Sequence, residues 1–261
     1  AAQVGVRLAD LAHPQSPAEY RRPTTAVLDG IFDAHGGLDY WRSLSTIDVE
    51  ISAWGFLFTT KHVAPQDHAR LTIDTREPRV VLHDYPAAGN SAILRGGQRV
   101  EIRDSAGSVL DARDNPRDAF SHGRLLRWDA IDFAYFCGYA MWNYLTLPFL
   151  LSYPGVSVAI SDRQATGTLL RVGYPDGIPT HCATQELYFD RSGRLVRHDY
   201  TAEVVGSWAR AAHLCSDYRR FGRLWLPTTR RVYPRGPLGR PLPLPTLVAI
   251  DIHHVEPRTA D

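Results

Sequence analysis

The residues best suited to chemistry in this chain are three histidines, a tyrosine and a glutamine within one stretch, Thr180 to Arg220. Imidazole exchanges protons near neutrality, and a phenol can donate to an oxygen that gains charge. Leu195 to Val204 alternates, with Leu195, Arg197, Asp199, Thr201 and Glu203 on one side and Val196, His198, Tyr200, Ala202 and Val204 on the other. Strand side chains alternate between faces, so the second set points inward and the charged set meets water. If Val204 pairs with Ala209, Glu203 lies opposite Arg210 as a favourable cross-strand pair. That register sets Tyr200 opposite His213 and His198 opposite Cys215. The preceding strand turns Gln185 inward and Glu186 outward, and a slip of one residue exchanges them. His181 shares the parity of Gln185.

His181, Gln185, His198, Tyr200, His213 and Cys215 therefore share one patch of a sheet interior, and three roles compete for it. Buried polar groups can simply satisfy one another. Alternatively, His198 or His213 moves a proton while Tyr200 hydrogen-bonds a developing oxygen, with Gln185, His181 and Cys215 contacting substrate. That describes a cofactor-independent isomerase, cyclase or hydro-lyase acting on a hydrophobic, natural-product-like substrate of secondary metabolism. The third role is a three-histidine metal centre, for which the position of His181 near a strand start is unfavourable. The chain contains no GxSxG elbow, phosphate-binding glycine loop, CxxC pair or HExxH. His253 and His254 are adjacent and so take opposite strand faces; His62 and His68 flank an exposed turn; the Arg219-Arg220 and Arg230-Arg231 pairs read as solvated strand edges.

The patch must be covered by an aromatic segment. From Trp128 the spacing predicts a long helix that starts at the N-cap Asp129 and is stopped by Pro148. Beyond Asp132 it is apolar or aromatic all round, so it is buried on most sides. Phe136, Tyr139 and Trp142 either shape a substrate or only pack. The charge-free run from Phe133 to Ser161 is long enough to span a bilayer, but Pro148 and Pro154-Gly155 interrupt it. A buried helix running into a strand is the reading adopted.

Elsewhere, residues 1 to 23 read as an N-terminal arm and residues 24 to 261 as a single domain. A short helix starts at Thr24 or Thr25, ends at Gly36-Gly37, and is followed by the helical turn LDYWRSL. From Ile47 the period changes to two: IDVEISAWGFLFTT, HARLTI, RVVLHDY, SAILRGG and QRVEIRD read as strands, closed by Asp114-Asn115-Pro116. After the aromatic helix, VSVAIS, TLLRVGY, two hairpins, PTTRRVY and LVAIDIHHV resume the pattern. PRGPLGRPLPLP is a stiff surface loop or the rim of a cavity. Strands in runs with inserted helices predict an α+β fold, one antiparallel sheet with helices on one face.

The totals set bounds. A hydrophobic fraction of 44% allows a full core, and a net charge of +1 gives no basic face for nucleic acid. Cys137, Cys182 and Cys215 are an odd set, and free thiols fit a reducing compartment. The start AAQVG fits a trimmed cytoplasmic chain or an exported protein whose signal peptide was removed; the cytoplasmic reading is preferred.

AHGGLDYWRSLSTIDVEIS, the aromatic helix ending in Pro148, FDRSGRLVRHDY and FGRLWLPTTRRVY resemble the bacterial lipoprotein-carrier and lipid-binding lipoproteins of the LolA/LppX-like superfamily, over about residues 24 to 256. The resemblance implies an antiparallel half-barrel whose concave side is plugged by helices around an apolar cavity. It also implies the alternative function, non-catalytic carriage of a lipid or other hydrophobic small molecule.

Overall fold

A computed structural model describes residues 20–122, 124, 126–161 and 167–259. Most of the expected N-terminal arm, residues 1–19, lies outside them.

Among the described residues, fourteen strands form one open antiparallel sheet. The first half is β2 (Leu44–Trp54), β3 (Gln66–Asp74), β4 (Arg79–His83), β5 (Ser91–Arg95), β6 (Arg99–Arg103) and β7 (Val109–Asp114). The second is β8 (Ser157–Ser161), β9 (Gly167–Gly173), β10 (Thr184–Asp190), β11 (Leu195–Thr201), β12 (Arg210–Phe221), β13 (Leu224–Pro234) and β14 (Val248–Thr259). Each half is a meander, and the pairing of β14 with β2 joins them; β1 (Tyr20–Arg21) and β7 are the edges. The sheet thus curves as a half-barrel, and the connection between its halves must cross the concave side.

That connection is α4 (Ala130–Thr146). Asp129 accepts from the Asp132 amide while the Asp132 carboxylate accepts from the Asp129 amide, a reciprocal cap. The Asp132 side chain is buried and held by Arg113 at 2.5 Å and Arg124 at 3.0 Å. From Ile131 to Thr146 every residue except Cys137 is buried, as an all-round apolar helix requires. No helix among the described residues is long and apolar enough to cross a membrane.

α1 (Thr25–Ala34) starts after Thr24, whose side chain makes no cap hydrogen bond. It ends where Gly36 and Gly37 take φ of 119° and 91°, and a Cβ on Gly36 would lie 2.4 Å from the Arg223 carbonyl oxygen. α2 (Leu38–Ser43) follows.

Three local expectations are corrected, and one strand is added. FLFTT continues no strand: Gly55, at φ 142°, turns the chain off β2 into α3 (Phe56–Lys61), whose Leu57 amide bonds the Leu247 carbonyl at 2.9 Å. VLDARD, just before Asn115-Pro116, forms the added strand β7. Arg197 and Asp199 do not meet water. They form a fully buried 2.6 Å ion pair on the face away from α4, beneath the proline-rich loop, whose Gly239 carbonyl accepts from Arg197. Arg230 is likewise buried, because it sits opposite inward-facing Cys215 and reaches the Tyr144 carbonyl at the end of α4.

Candidate functional site

β11 and β12 pair with His198 opposite His213, Tyr200 opposite Ala211 and Thr201 opposite Arg210. The expected register is therefore displaced by two residues. Glu203 is taken not by Arg210 but by Arg117, 2.7 Å away, and Val204 is buried in a wider loop. A two-residue displacement preserves parity, so His198, Tyr200, His213 and Cys215 still share the inner face. At the other end of β11 a bulge opposite Tyr188 and Phe189 puts Leu195, rather than Val196, into the core.

Gln185 on β10 faces inward and Glu186 outward, where Glu186 binds Arg235 at 3.1 Å. The Gln185 amide nitrogen donates to the Cys182 carbonyl at 2.9 Å, so its oxygen faces His198 Nε2 at 2.5 Å. An amide oxygen only accepts, so Nε2 of His198 carries the proton and Nδ1, buried and without a partner among the described residues, is a bare lone pair. Burial, with Arg230 nearby, depresses His198 to about 3. The same causes hold His213 well below the ordinary histidine range, and neither of its ring nitrogens has a hydrogen-bond partner among the described residues.

The polar patch centres on His181, in the loop before β10. Asn143 on α4 anchors that loop by donating to the Pro179 carbonyl at 2.8 Å. Arg117 anchors it from the other side, donating to the Thr180 and His181 carbonyls at 2.7 and 3.1 Å. The His181 ring lies flat on Tyr200, with centroids 3.9 Å apart. Its Nδ1 meets the Tyr139 hydroxyl at 3.1 Å and its Nε2 the Tyr144 hydroxyl at 2.7 Å, and Tyr144 meets the Tyr200 hydroxyl at 2.8 Å. Burial depresses His181 strongly and raises all three phenols, so the network is uncharged.

Of the other expected residues, Phe136 packs edge-on against His181. Cys215 accepts a weak 3.5 Å contact from Arg230. Trp142 stands apart from the patch: its indole donates to the Asp74 carbonyl at 3.0 Å and packs on Tyr153. Among the described residues no three His, Cys, Asp or Glu side chains are arranged to hold a metal ion, and His181 turns both nitrogens to tyrosines. Sequence reasoning missed Tyr144, Asn143, Arg117 and Arg230. Arg230 supplies the cation that the last turn of α4 lacks, donating to the Tyr144 carbonyl at 2.8 Å.

Two cavities flank the patch. One, of about 180 Å³, lies between α4 and strands β2–β4 and is lined by Leu71, Leu82, Phe133, Ala140 and Met141, among others. The other, of about 350 Å³, is bordered by Leu57, Val205, Ala211, Val232 and Leu247, with His181 and Tyr200 as its polar members from the network. Phe136 and Val248 border both cavities, and His198 and His213 border neither. Lys61, the only lysine of the chain, borders the larger one and lies 5.5 Å from the Trp128 ring centroid. Phe56, Leu126 and Trp208 at its rim are 51%, 74% and 70% exposed.

No family model and no curated protein matches this chain. Among solved structures, it is similar to a LolA superfamily protein from Nitrosomonas europaea, with 11% identity over 88% of this chain and 93% of that one and a TM-score of 0.45. It is also similar to a DUF1329 family protein from Desulfovibrio piger, with 12% identity over 91% and 94% and a TM-score of 0.44.

Proposed function

We propose that the protein is a non-catalytic binder and carrier of a hydrophobic small molecule or lipid. The observation that carries this reading is the cavity of about 350 Å³ between α3, α4 and the β11–β14 sheet, bordered mostly by apolar side chains and rimmed by exposed Phe56, Leu126 and Trp208. Ligand sites are concave, mainly apolar and carry few polar groups, and this one has that composition. Large apolar side chains exposed around an opening suit a ligand that enters from an apolar environment.

The acid–base reading, an isomerase, cyclase or hydro-lyase, has less support. Its proton carriers, His198 and His213, border neither cavity, and burial holds both uncharged near neutrality.

Organic extraction of protein purified without detergent, followed by mass analysis, is the test. A stoichiometric apolar compound is the expected result. No such compound, together with no binding of an added fluorescent apolar probe, sinks the carrier reading.

A further inference from the structure

The buried network that floors the larger cavity can be counted hydrogen by hydrogen. Tyr139, His181, Tyr144 and Tyr200 are joined by three contacts of 3.1, 2.7 and 2.8 Å. Each contact uses one hydrogen. A neutral imidazole holds one N–H and each phenol one O–H, so four hydrogens serve three contacts. Tyr144 stands between two partners; a phenol offers one hydrogen and one in-plane lone pair, so it donates to one and accepts from the other. The surplus hydrogen therefore sits at an end of the chain, on Tyr139 or on Tyr200.

The two ends differ. Arg117 binds the backbone of His181, whose Nδ1 meets the Tyr139 hydroxyl, and its positive charge acts on that hydroxyl. A hydrogen turned toward a guanidinium is repelled, whereas a lone pair is attracted. The Tyr139 hydrogen thus goes to Nδ1 of His181, Nε2–H to Tyr144, and the Tyr144 hydrogen to Tyr200. At the far end Tyr200 has no further acceptor among the described residues, and it borders the cavity.

Resting on the carrier reading, we infer that the surplus O–H of Tyr200 recognises a neutral carbonyl oxygen, so that the ligand is an apolar ketone, aldehyde or ester rather than a plain hydrocarbon or a carboxylate. A buried donor without an acceptor is costly, and a carbonyl oxygen relieves that cost without bringing a charge into an uncharged network. A carboxylate would bring a charge beside that uncharged network, and a plain hydrocarbon would leave the O–H without an acceptor. Arg117 is a positioning residue here: it directs the chain of hydrogens without touching ligand.

Methyl nonyl ketone, undecane and undecanoate are the probes, each titrated against a bound fluorescent naphthalenesulfonate. The native protein is expected to prefer the ketone to undecane by about tenfold, the worth of one net hydrogen bond. Tyr200→Phe should remove that preference and leave undecane affinity unchanged. Equal ketone affinity in the native protein and Tyr200→Phe overturns the inference while leaving the carrier reading intact. So does undecanoate binding more tightly than the ketone and independently of Tyr200. Displacement by none of the three overturns both. Should Tyr200→Phe not fold, Arg117→Gln decides: the ketone-to-undecane ratio falls severalfold and Arg117→Lys restores it, whereas equal ratios in all three proteins overturn the inference.

Discussion

His198 and His213 stand opposite each other on neighbouring strands, their ring centroids 5.9 Å apart and their planes 24° from parallel, and neither has any exposed surface. They differ in what they hold. His198 is tied to Gln185, whereas neither nitrogen of His213 has a partner among the described residues. An unpaired buried polar atom costs about 1–3 kcal/mol, so His213→Leu is expected to leave stability unchanged or raise it. His181→Leu strips two phenols of their partner and should cost about 2–4 kcal/mol on the same basis. Urea denaturation of the two variants checks the contrast, and equal losses would refute it.

Acid should loosen the fold well before the Glu101 carboxylate titrates. Burial lowers His35 to about 4 and His198 to about 3, from an ordinary value of 6.5. A histidine with a depressed folded value binds its proton in the unfolded chain first. The stability it contributes is complete above 6.5 and is lost as pH falls through the window toward 4 and then 3. Each such imidazole adds a slope of about 1.4 kcal/mol per pH unit inside its window. Glu101 works lower down: hydrogen bonds from Arg103, and then Arg95, bring it to about 2, so its contribution fades only below 4.5. Denaturation midpoints should therefore fall steadily between pH 6.5 and 4.5, and a flat profile there contradicts the assignment.

The Arg197–Asp199 pair makes a second demand. It is fully buried, Arg235 also reaches Asp199 at 3.1 Å, and burial raises the Asp199 carboxyl. Asp199→Asn leaves Arg197 as a buried charge without its counter-ion and is expected to cost about 3–5 kcal/mol. The double replacement Arg197→Met with Asp199→Leu should recover most of that loss. Because Arg197 also holds the Gly239 carbonyl, Asp199→Asn should speed proteolysis in the proline-rich loop, which limited digestion can follow.

What could be read from the chain, and what could not, divides by distance along it. The limits of α4 were legible because Asp129 and Pro148 act on their own neighbours. The inward parity of His198, Tyr200 and His213 was legible because a two-residue period depends only on the strand. The register was not: Glu203 pairs with Arg117, 86 residues away, and local charge matching with Arg210 could not foresee it. The charged face of β11 reads as solvated until a loop about 40 residues later covers it, as the Arg197–Gly239 contact does. Tyr144 looked like any of six aromatics on α4. Only the docking of the His181 loop, through Asn143 and Arg117, selects which hydroxyl lies in the polar network.

Phe136 gives the last prediction, since its ring borders the cavities of about 180 and 350 Å³ alike. It packs on Trp128, Tyr139 and His181, with centroids 4.9, 5.7 and 5.9 Å away, and so is held in place as a partition. Phe136→Ala removes that partition at a cost of about 3–5 kcal/mol for a large-to-small core change. The two spaces should then join, and the preferred ligand should lengthen by several carbons while short ligands weaken. Displacement of a fluorescent apolar probe by a series of methyl ketones of rising chain length measures the change. An unaltered length preference in a folded Phe136→Ala protein would mean that the smaller cavity takes no part in binding.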